Sequence, residues 1–463
     1  MQPPETETQI WRILLFARDG AELLVLRSAS GFRLPELRVP RWQRIAANLN
    51  AEAKRLWHLD TACLFSCDVP PATVPGPQCE YHVMELCKTE DLTSVAPDFL
   101  SISALKEGSF ADARDFVAVR QAMGLDGASF PDECRGPFSG FGALSKISTW
   151  VHAKLHPLGL GLDGCFRQLQ ASASFALIRF QTNKDAVWFK AVGKPNLREF
   201  PITVELTARF PAYLPEPIAI CSEWNGWLVK EASGQDLFAC TEAAPWQRVA
   251  KSLAELQIAA IPYAAPILAA GAHDVSVRRL LTLTAPFFQV LKPLMKEQAK
   301  PVPPALSAEE LDDVKHDVVS ALQQTESIPI PDTLNHLDLN PGNVFVFSQK
   351  CTFLDWAEAA VGNPFFSLEY LRQHFRRTFP ASERDDAQLC NSYLSHWSSI
   401  LPSKAGVEML RLAPLTALFA YAATALPWNE PKQTNQPNLA AFLRSLARRM
   451  RQEAEQLKSI RTA

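Results

Sequence analysis

Residues 334–347 read LNHLDLNPGNVFVF, an apolar run that stops to carry His336, Asp338 and Asn343 and then resumes as Val344 to Phe347. A second run, CTFLDWAEA, presents another lone aspartate, Asp355, 12 residues after Asn343. A plain hairpin has no use for these polar groups. Pro341-Gly342 breaks the segment between Asp338 and Asn343, so both side chains can turn toward one pocket, and Asp355 falls at the end of the paired strand. One carboxylate and one amide oxygen, from Asp355 and Asn343, suit Mg²⁺, which keeps waters and completes its octahedron with substrate phosphates. A further carboxylate, Asp338, can hold an attacking hydroxyl and accept its proton. Singly, each is an ordinary turn or strand-end residue. Together they make up the chemistry of phosphoryl transfer, where the protein mainly positions groups and neutralises charge.

The elements that must hold this loop belong to a long chain. Its 463 residues exceed what one core usually organises, so two or three domains are expected. Hydrophobic residues make up 47% and charged residues 21%, the balance of a folded protein without long disorder. A formal net charge of −3 supplies no basic field to recruit nucleic acid or an anionic membrane. Arginines gather in LRSLARRMRQEAEQLK, but Leu443, Leu446, Met450 and Leu457 fall near helical spacing there, which predicts an amphipathic helix with a solvated basic face. The ten cysteines form no CxxC pair and no zinc-finger spacing. The start, MQPPETETQIW, is polar and acidic, unlike a signal peptide, and no apolar run reads as long enough to span a bilayer. These features predict a cytoplasmic protein with free thiols and neither a nucleic-acid nor a membrane partner. They leave the oligomeric state open.

Along the chain, IWRILLFARDGAELLVLR places two apolar runs around Asp19-Gly20, a hairpin signal. RWQRIAANLNAEAKRLW and SFADARDFVAVRQAM read as helices, YHVMELCK as a strand and DVPPATVPGPQ as a loop. GLDGASFPDECRGPFSGFG cannot continue a helix, so a domain boundary is set near residue 138. Beyond it lie a helix, ALSKISTWVHAKL, a strand pair around Asn183-Lys184-Asp185, a helix in EFPITVELTARF and a strand in GWLVKEASG. After about residue 243 the texture turns helical, including a capping box at Ser307 and Glu310. The expected class is α+β: an α/β domain over 1–138, then a bilobal domain over 139–463 with a small lobe at about 165–232 and a helical large lobe at about 233–463.

With these residues in place, HLDLNPGNVFV…FLDWAEA resembles the catalytic loop and metal aspartate of the aminoglycoside phosphotransferase/choline kinase family, which has the protein-kinase-like fold. The resemblance covers roughly residues 143–463. It departs at Leu337, where the family usually has Gly, so the substrate mouth is expected to be reshaped there. It departs again in GNPFFSLEYL, where Ser367 replaces a frequent Asp and puts that residue's network in question. The resemblance implies that Asp338 is the catalytic base, with Asn343 and Asp355 as catalytic metal ligands. Upstream it implies that Lys190, in VWFKAV, grips the α/β-phosphates of a nucleotide, steadied by Glu199 or, as second choice, Glu205. WLVKEASGQDL resembles the hinge, where the backbones of Lys230 and Ala232 would pair with adenine and Gly234 turns the chain away. Ser172 to Ser174 would form the phosphate-covering turn, with Ser174 as the binding residue. His336 would brace the loop and Trp356 pack the metal strand.

Residues 1–138 resemble, in outline, a Nudix-type α/β/α domain. That family's metal helix needs several glutamates, and NLNAEAKRLW offers only Glu52. The expectation is a catalytically inactive Nudix-like domain or, failing that, an unassigned α+β domain. For the whole chain the resemblance implies an enzyme that moves the γ-phosphoryl group of ATP or GTP, with Mg²⁺, to a hydroxyl of a small molecule. The rivals are a nucleotide-binding pseudokinase acting through a protein partner and, more remotely, a transferase of AMP.

Overall fold

The computed structural model describes residues 8–40, 44–69, 79–87, 98–124, 137–380, 383–434 and 436–462. Most of the proline-rich loop expected at 68–78, and the centre of the Gly/Pro-rich stretch at 125–136, lie outside the described residues. The chain forms two compact units. The first is Met1–Phe200 with Glu216–Glu231; the second is Pro201–Pro215 with Ala232–Ala463. The expected boundary near residue 138 falls inside the first unit, between its two sheets, and residues 201–215 of the expected small lobe group with the second.

The first unit opens with strands β1 (Thr8–Ala17) and β2 (Glu22–Ser28). Arg18, Asp19 and Gly20 between them all take positive φ, and Phe16 pairs with Leu23. Strands β3 (Gly31–Arg33), β4 (Glu36–Pro40), β5 (Thr61–Cys67), β6 (Cys79–Leu86) and β7 (Asp98–Ser101) complete a seven-stranded sheet. Its centre, β1, lies parallel to β6. Both faces of β1 are buried, in alternation. Trp11, Ile13 and Leu15 share a core with Ala46, Leu49 and Ala53 of helix α1 (Ile45–Trp57). Leu14 and Phe16 share another with Ala118, Val119 and Ala122 of helix α2 (Ala113–Ala122). A strand of period two with two apolar faces needs a helix on each, which gives an α/β/α sandwich.

Helix α3 (Ala143–Leu155) leads to an antiparallel sheet of order β11-β12-β10-β9-β8, formed by β8 (Leu162–Ser172), β9 (Phe175–Thr182), β10 (Val187–Val192), β11 (Pro217–Cys221) and β12 (Gly226–Lys230). Ile147, Val151 and Leu155 of α3 bury against Ile178, Phe180 and Phe189. The two sheets of this unit share apolar cores, among them one that holds Ala62 with Ile178 and Phe180, and one side chain also hydrogen-bonds across them. Gln168 of β8 donates to the carbonyl of Cys63 and accepts from its amide, both at 2.7 Å, as a neighbouring strand would.

Helix α4 (Glu199–Arg209) contains the division between the units. The second unit holds α5 (Ala243–Ala260), α6 (Ala264–Ala269), α7 (Val277–Lys296), α8 (Ala308–Glu326), α9 (Phe365–Thr378), α10 (Glu383–Trp397), α11 (Ser403–Thr424), α12 (Pro431–Thr434) and α13 (Pro437–Thr462). Ser307 and Glu310 make the reciprocal capping box of α8. Leu443, Leu446, Met450 and Leu457 of α13 are buried, the apolar face expected for the arginine-rich stretch. Two small sheets sit among the helices. One has the order β13 (Gln235–Asp236), β16 (Val344–Phe347), β17 (Lys350–Phe353); the other, β14 (His273–Val275), β18 (Ala359–Gly362), β15 (Thr333–His336).

The expectation that no stretch is apolar enough for a bilayer needs correction: among the described residues, Ala243–Ala269 meets that test by length and composition. Its α5 instead buries Trp246, Val249, Leu253 and Leu256 in the core of the second unit. Gln257, fully buried on the same helix, donates to the carbonyls of Leu334 and Pro364 and accepts from Tyr393 Oη.

Candidate active site

In the second unit, β15 ends at His336, a 3₁₀ turn over Pro341–Asn343 follows, and β16 and β17 form the expected hairpin, Val344 opposite Phe353. Asp338 lies on the loop between. Asn343 turns its amide nitrogen to Asp338, reaching the backbone oxygen at 3.0 Å and Oδ2 at 3.3 Å. Asn340 Nδ2 reaches the same Oδ2 at 3.3 Å, while its own Oδ1 accepts from the amide of Gly342 at 3.0 Å. The carboxylate is thus fixed on its loop side by two amides. Its other oxygen, Oδ1, accepts from the hydroxyl of Tyr370 at 3.0 Å. Burial pushes the Tyr370 phenol up, and the Asp338 carboxylate beside it adds to this, so Tyr370 remains a donor at neutral pH.

His336 is fully buried. Its Nδ1 accepts from the amide of Asp338 at 3.3 Å and its Nε2 lies 2.8 Å from the carbonyl of Leu354, an arrangement that calls for the proton on Nε2. Burial lowers its pKa and keeps the ring neutral, against the pull of the carbonyl and the nearby carboxylates. The ring therefore clamps the loop to the end of the Asp355 strand and meets Trp356 at a tilt of 48°, with ring centres 4.6 Å apart. Behind it, Ser367 at the start of α9 accepts from the amide of His336 at 2.8 Å and donates to Asn335 Oδ1 at 2.8 Å. Asn335 in turn donates to the carbonyls of Thr333 and Gly362. The network questioned at Ser367 is therefore made, with a hydroxyl in it. Leu337 is 2% exposed and sits in the core of the unit. It does not line a substrate mouth, which corrects the expectation of reshaping there.

Asp355 is exposed and takes a left-handed backbone, φ 60°. Asn343 aims its amide nitrogen at Asp338, which leaves its amide oxygen and the Asp355 carboxylate as the oxygen donors the sequence put forward for a metal. Among the described residues no group of three or more His, Cys, Asp or Glu side chains comes together as a metal cage. Two hard oxygen donors fit an ion that keeps much of its water.

In the first unit, Lys190 of β10 pairs with Glu199 at the start of α4, which is 1% exposed. The ammonium lies 5.2 Å from the ring centre of Phe175 and 5.7 Å from that of Trp227. Of the two carboxylates considered for this lysine, Glu205 bonds Arg209 instead. Ala173 and Ser174 form the turn between β8 and β9, and Ser174 accepts from the amide of Gly193 at 2.6 Å. Lys230 ends β12. Its amide donates to Glu216 and its ammonium pairs with the Glu216 carboxylate, so its N–H is already engaged. Ala232 begins the return of the chain into the second unit. There Gly234 has φ +93°, and a Cβ on it would lie 2.1 Å from the carbonyl oxygen of Val346. Glu52, the lone acid of the N-terminal helix, bonds Arg55 at 2.7 Å.

The sequence did not point to Tyr370 or Asn340. The available signal was that Ser367 and Tyr370 lie three apart on one helix and so share a face.

No curated protein matches the chain. Among solved structures it is similar to the macrolide 2'-phosphotransferase of Brachybacterium faecium, at 17% identity over 65% of this chain and 98% of that one, with a TM-score of 0.44. A choline/ethanolamine kinase family protein from Mesorhizobium loti shows 14% identity over 67% and 94%, TM-score 0.44. A choline kinase from Cryptosporidium parvum shows 13% over 68% and 95%, TM-score 0.48. Nothing in these comparisons supports a Nudix-like reading of residues 1–138, and the expectation gains nothing from the single acid Glu52. One family model matches, that of the phosphotransferase enzyme family, and it does so over residues 202–402, the segment that holds the whole Asp338 loop and Asp355.

Proposed function

We propose that the protein is a small-molecule kinase that moves the γ-phosphoryl group of ATP or GTP to a hydroxyl of its acceptor. The observation that carries this is the Asp338 loop, whose carboxylate is oriented by Asn340 and Asn343 and seated on the buried His336 clamp. Asp338 orients the acceptor hydroxyl and takes its proton. Asn343 and Asp355 would hold Mg²⁺, which when bound neutralises phosphate oxygens. In the first unit, Lys190 would grip the α/β-phosphates, fixed by Glu199; Ser174 would lie in the turn over the phosphates; and the backbones near Lys230 and Ala232 would meet the base. With the amide of Lys230 engaged, the larger share of that pairing would fall to Ala232. Free thiols at the nine described cysteines are in keeping with a cytoplasmic setting.

Thermal unfolding with ATP and Mg²⁺, compared with ATP and EDTA, tests the reading. Metal-dependent stabilisation is expected, roughly 2.7 kcal/mol at a hundred times the dissociation constant. Its absence at saturating ATP and at saturating GTP would remove the site. Metal-dependent binding with no turnover toward any hydroxyl acceptor or water would favour the pseudokinase.

A further inference from the structure

We infer that Tyr370 is a positioning residue at the acceptor end of the site: its phenol holds the oxygen of Asp338 that the acceptor hydroxyl must take, and transfer requires it to give way. The inference rests on the phosphotransferase reading. A general base must hydrogen-bond the hydroxyl it deprotonates. Of the two Asp338 oxygens, Oδ2 is on the loop side and is held by Asn340 and Asn343. Oδ1 carries the Tyr370 hydroxyl at 3.0 Å, a donor of the same kind and in the same relation to the carboxylate as an acceptor hydroxyl. An acceptor hydroxyl that approaches Oδ1 along the line now taken by the phenol has to displace it.

The ring is built to hold this place without being locked in it. Tyr370 is half-buried, not part of the closed core. It makes tilted contacts with His374, one turn on along α9, at 5.3 Å, and with Tyr421 of α11 at 6.3 Å. Tyr421 in turn meets Phe442, which is 41% exposed. This aromatic line runs from Asp338 to the surface of the unit. Tilted ring contacts tolerate a change of angle better than a packed aliphatic site does. While the phenol is in place, it takes one acceptor site of the base that water could otherwise use, which would limit waste of nucleotide before an acceptor arrives.

The test uses the full chain with ATP and Mg²⁺ and no acceptor. Tyr370→Phe keeps the ring and removes the hydroxyl. Phosphate release is expected to rise several-fold over the wild type, because water reaches Asp338 Oδ1, while nucleotide affinity by calorimetry and the melting temperature stay close to wild type. Adding Asp338→Asn to Tyr370→Phe should abolish the rise. Unchanged or slower release with nucleotide binding intact overturns the inference and leaves the phosphotransferase reading standing. Mass spectrometry of the wild type after incubation supplies a second check: phosphate found on Tyr370 would make it an acceptor and overturn its role as a placeholder. Failure of both proteins to bind nucleotide defeats the phosphotransferase reading itself, and the inference with it.

Discussion

Asp338 and Asp355 are the same residue type with different surroundings, and they are expected to fail differently. Asp338 is half-buried, bonded by two amides and a phenol; Asp355 is exposed on a left-handed turn. Asp355→Asn should weaken nucleotide binding in the presence of Mg²⁺ as well as turnover. Asp338→Asn keeps the shape but cannot take a proton. It should leave nucleotide affinity nearly intact while turnover falls on the order of a hundredfold or more. Calorimetry and product release separate the two, and the opposite pattern would reverse the assignments. A second residue-scale prediction concerns His82, buried in the first unit with Nδ1 3.0 Å from Ser66 Oγ. Burial drops its pKa from 6.5 to about 3. The unfolded chain therefore takes up a proton below pH 6.5 and the folded chain does not. The stability tied to His82 is full above pH 6.5 and falls by about 1.4 kcal/mol per pH unit below it, until about pH 3. Burial lowers His336 and His374 in the same direction, so the comparison must be with a variant. Between pH 7 and 5, His82→Phe should lose about 2 kcal/mol less than the wild type in urea unfolding. Equal losses would mean that His82 is not held neutral. At this scale the metal and base candidates were legible, because Asp, Asn and Asp in one broken strand pair have few structural uses. Tyr370 was not, since an aromatic residue in an amphipathic helix reads as core.

A catalytic side chain is only as well placed as the element beneath it. The Asp338 loop rests on Ser367, which ties α9 to β15 through His336 and Asn335. All three are fully buried, so removing the hydroxyl takes the side-chain acceptor from the His336 amide and one of two donors from Asn335 Oδ1, which keeps the backbone amide of residue 367 at 3.2 Å. Ser367→Ala should cost roughly 1–3 kcal/mol in stability and slow turnover more than it weakens nucleotide binding, because it loosens the base and not the phosphates. Equal losses in both would mean a general structural role. Gly234 acts through the backbone. Its φ is +93°, and an added Cβ would lie 2.1 Å from the Val346 oxygen, so there is no space for a methyl group. Gly234→Ala should destabilise the second unit by on the order of 3 kcal/mol, read as a lowered denaturant midpoint. The strands β15, β16 and β17 were legible from their local pattern, and β18 was not. The Ser367 network was not, because it joins residues 31 and 32 positions apart, and a spacing rule reaches only a turn or two along one element.

At the scale of the molecule, the sequence marked a change of texture near residue 138, from the density of Gly and Pro. The structure divides elsewhere: the residues on both sides of that stretch form one compact unit. Besides the apolar core that holds Ala62 with Ile178 and Phe180, the two sides are joined by Gln168, which looks like an ordinary polar residue of an alternating strand. It is 6% exposed and satisfies both backbone groups of Cys63, 105 residues away, with Asn50 Nδ2 on the same amide oxygen at 3.1 Å. Both partners sit where a register shift interrupts their sheets, Cys63 before the one in β5 and Gln168 before the one in β8, so the amide fills a gap that the regular ladders leave. Gln168→Ala removes all three hydrogen bonds and leaves the Cys63 amide and carbonyl buried without them. The expected cost is roughly 2–5 kcal/mol, from two orphaned buried groups. Because this side chain is the hydrogen-bonded joint between the seven-stranded and five-stranded sheets, the loss should also show as uncoupling. Hydrogen exchange of the wild type should give one common opening free energy for the two sheets, and Gln168→Ala should split it, with β5 and α1 opening at lower free energy than β9 and β10. If the two sheets keep a single opening free energy in the variant, then the apolar contacts of Ala62 and Leu144 with Ile178 and Phe180 hold them together without the amide, and the joint lies in that shared core.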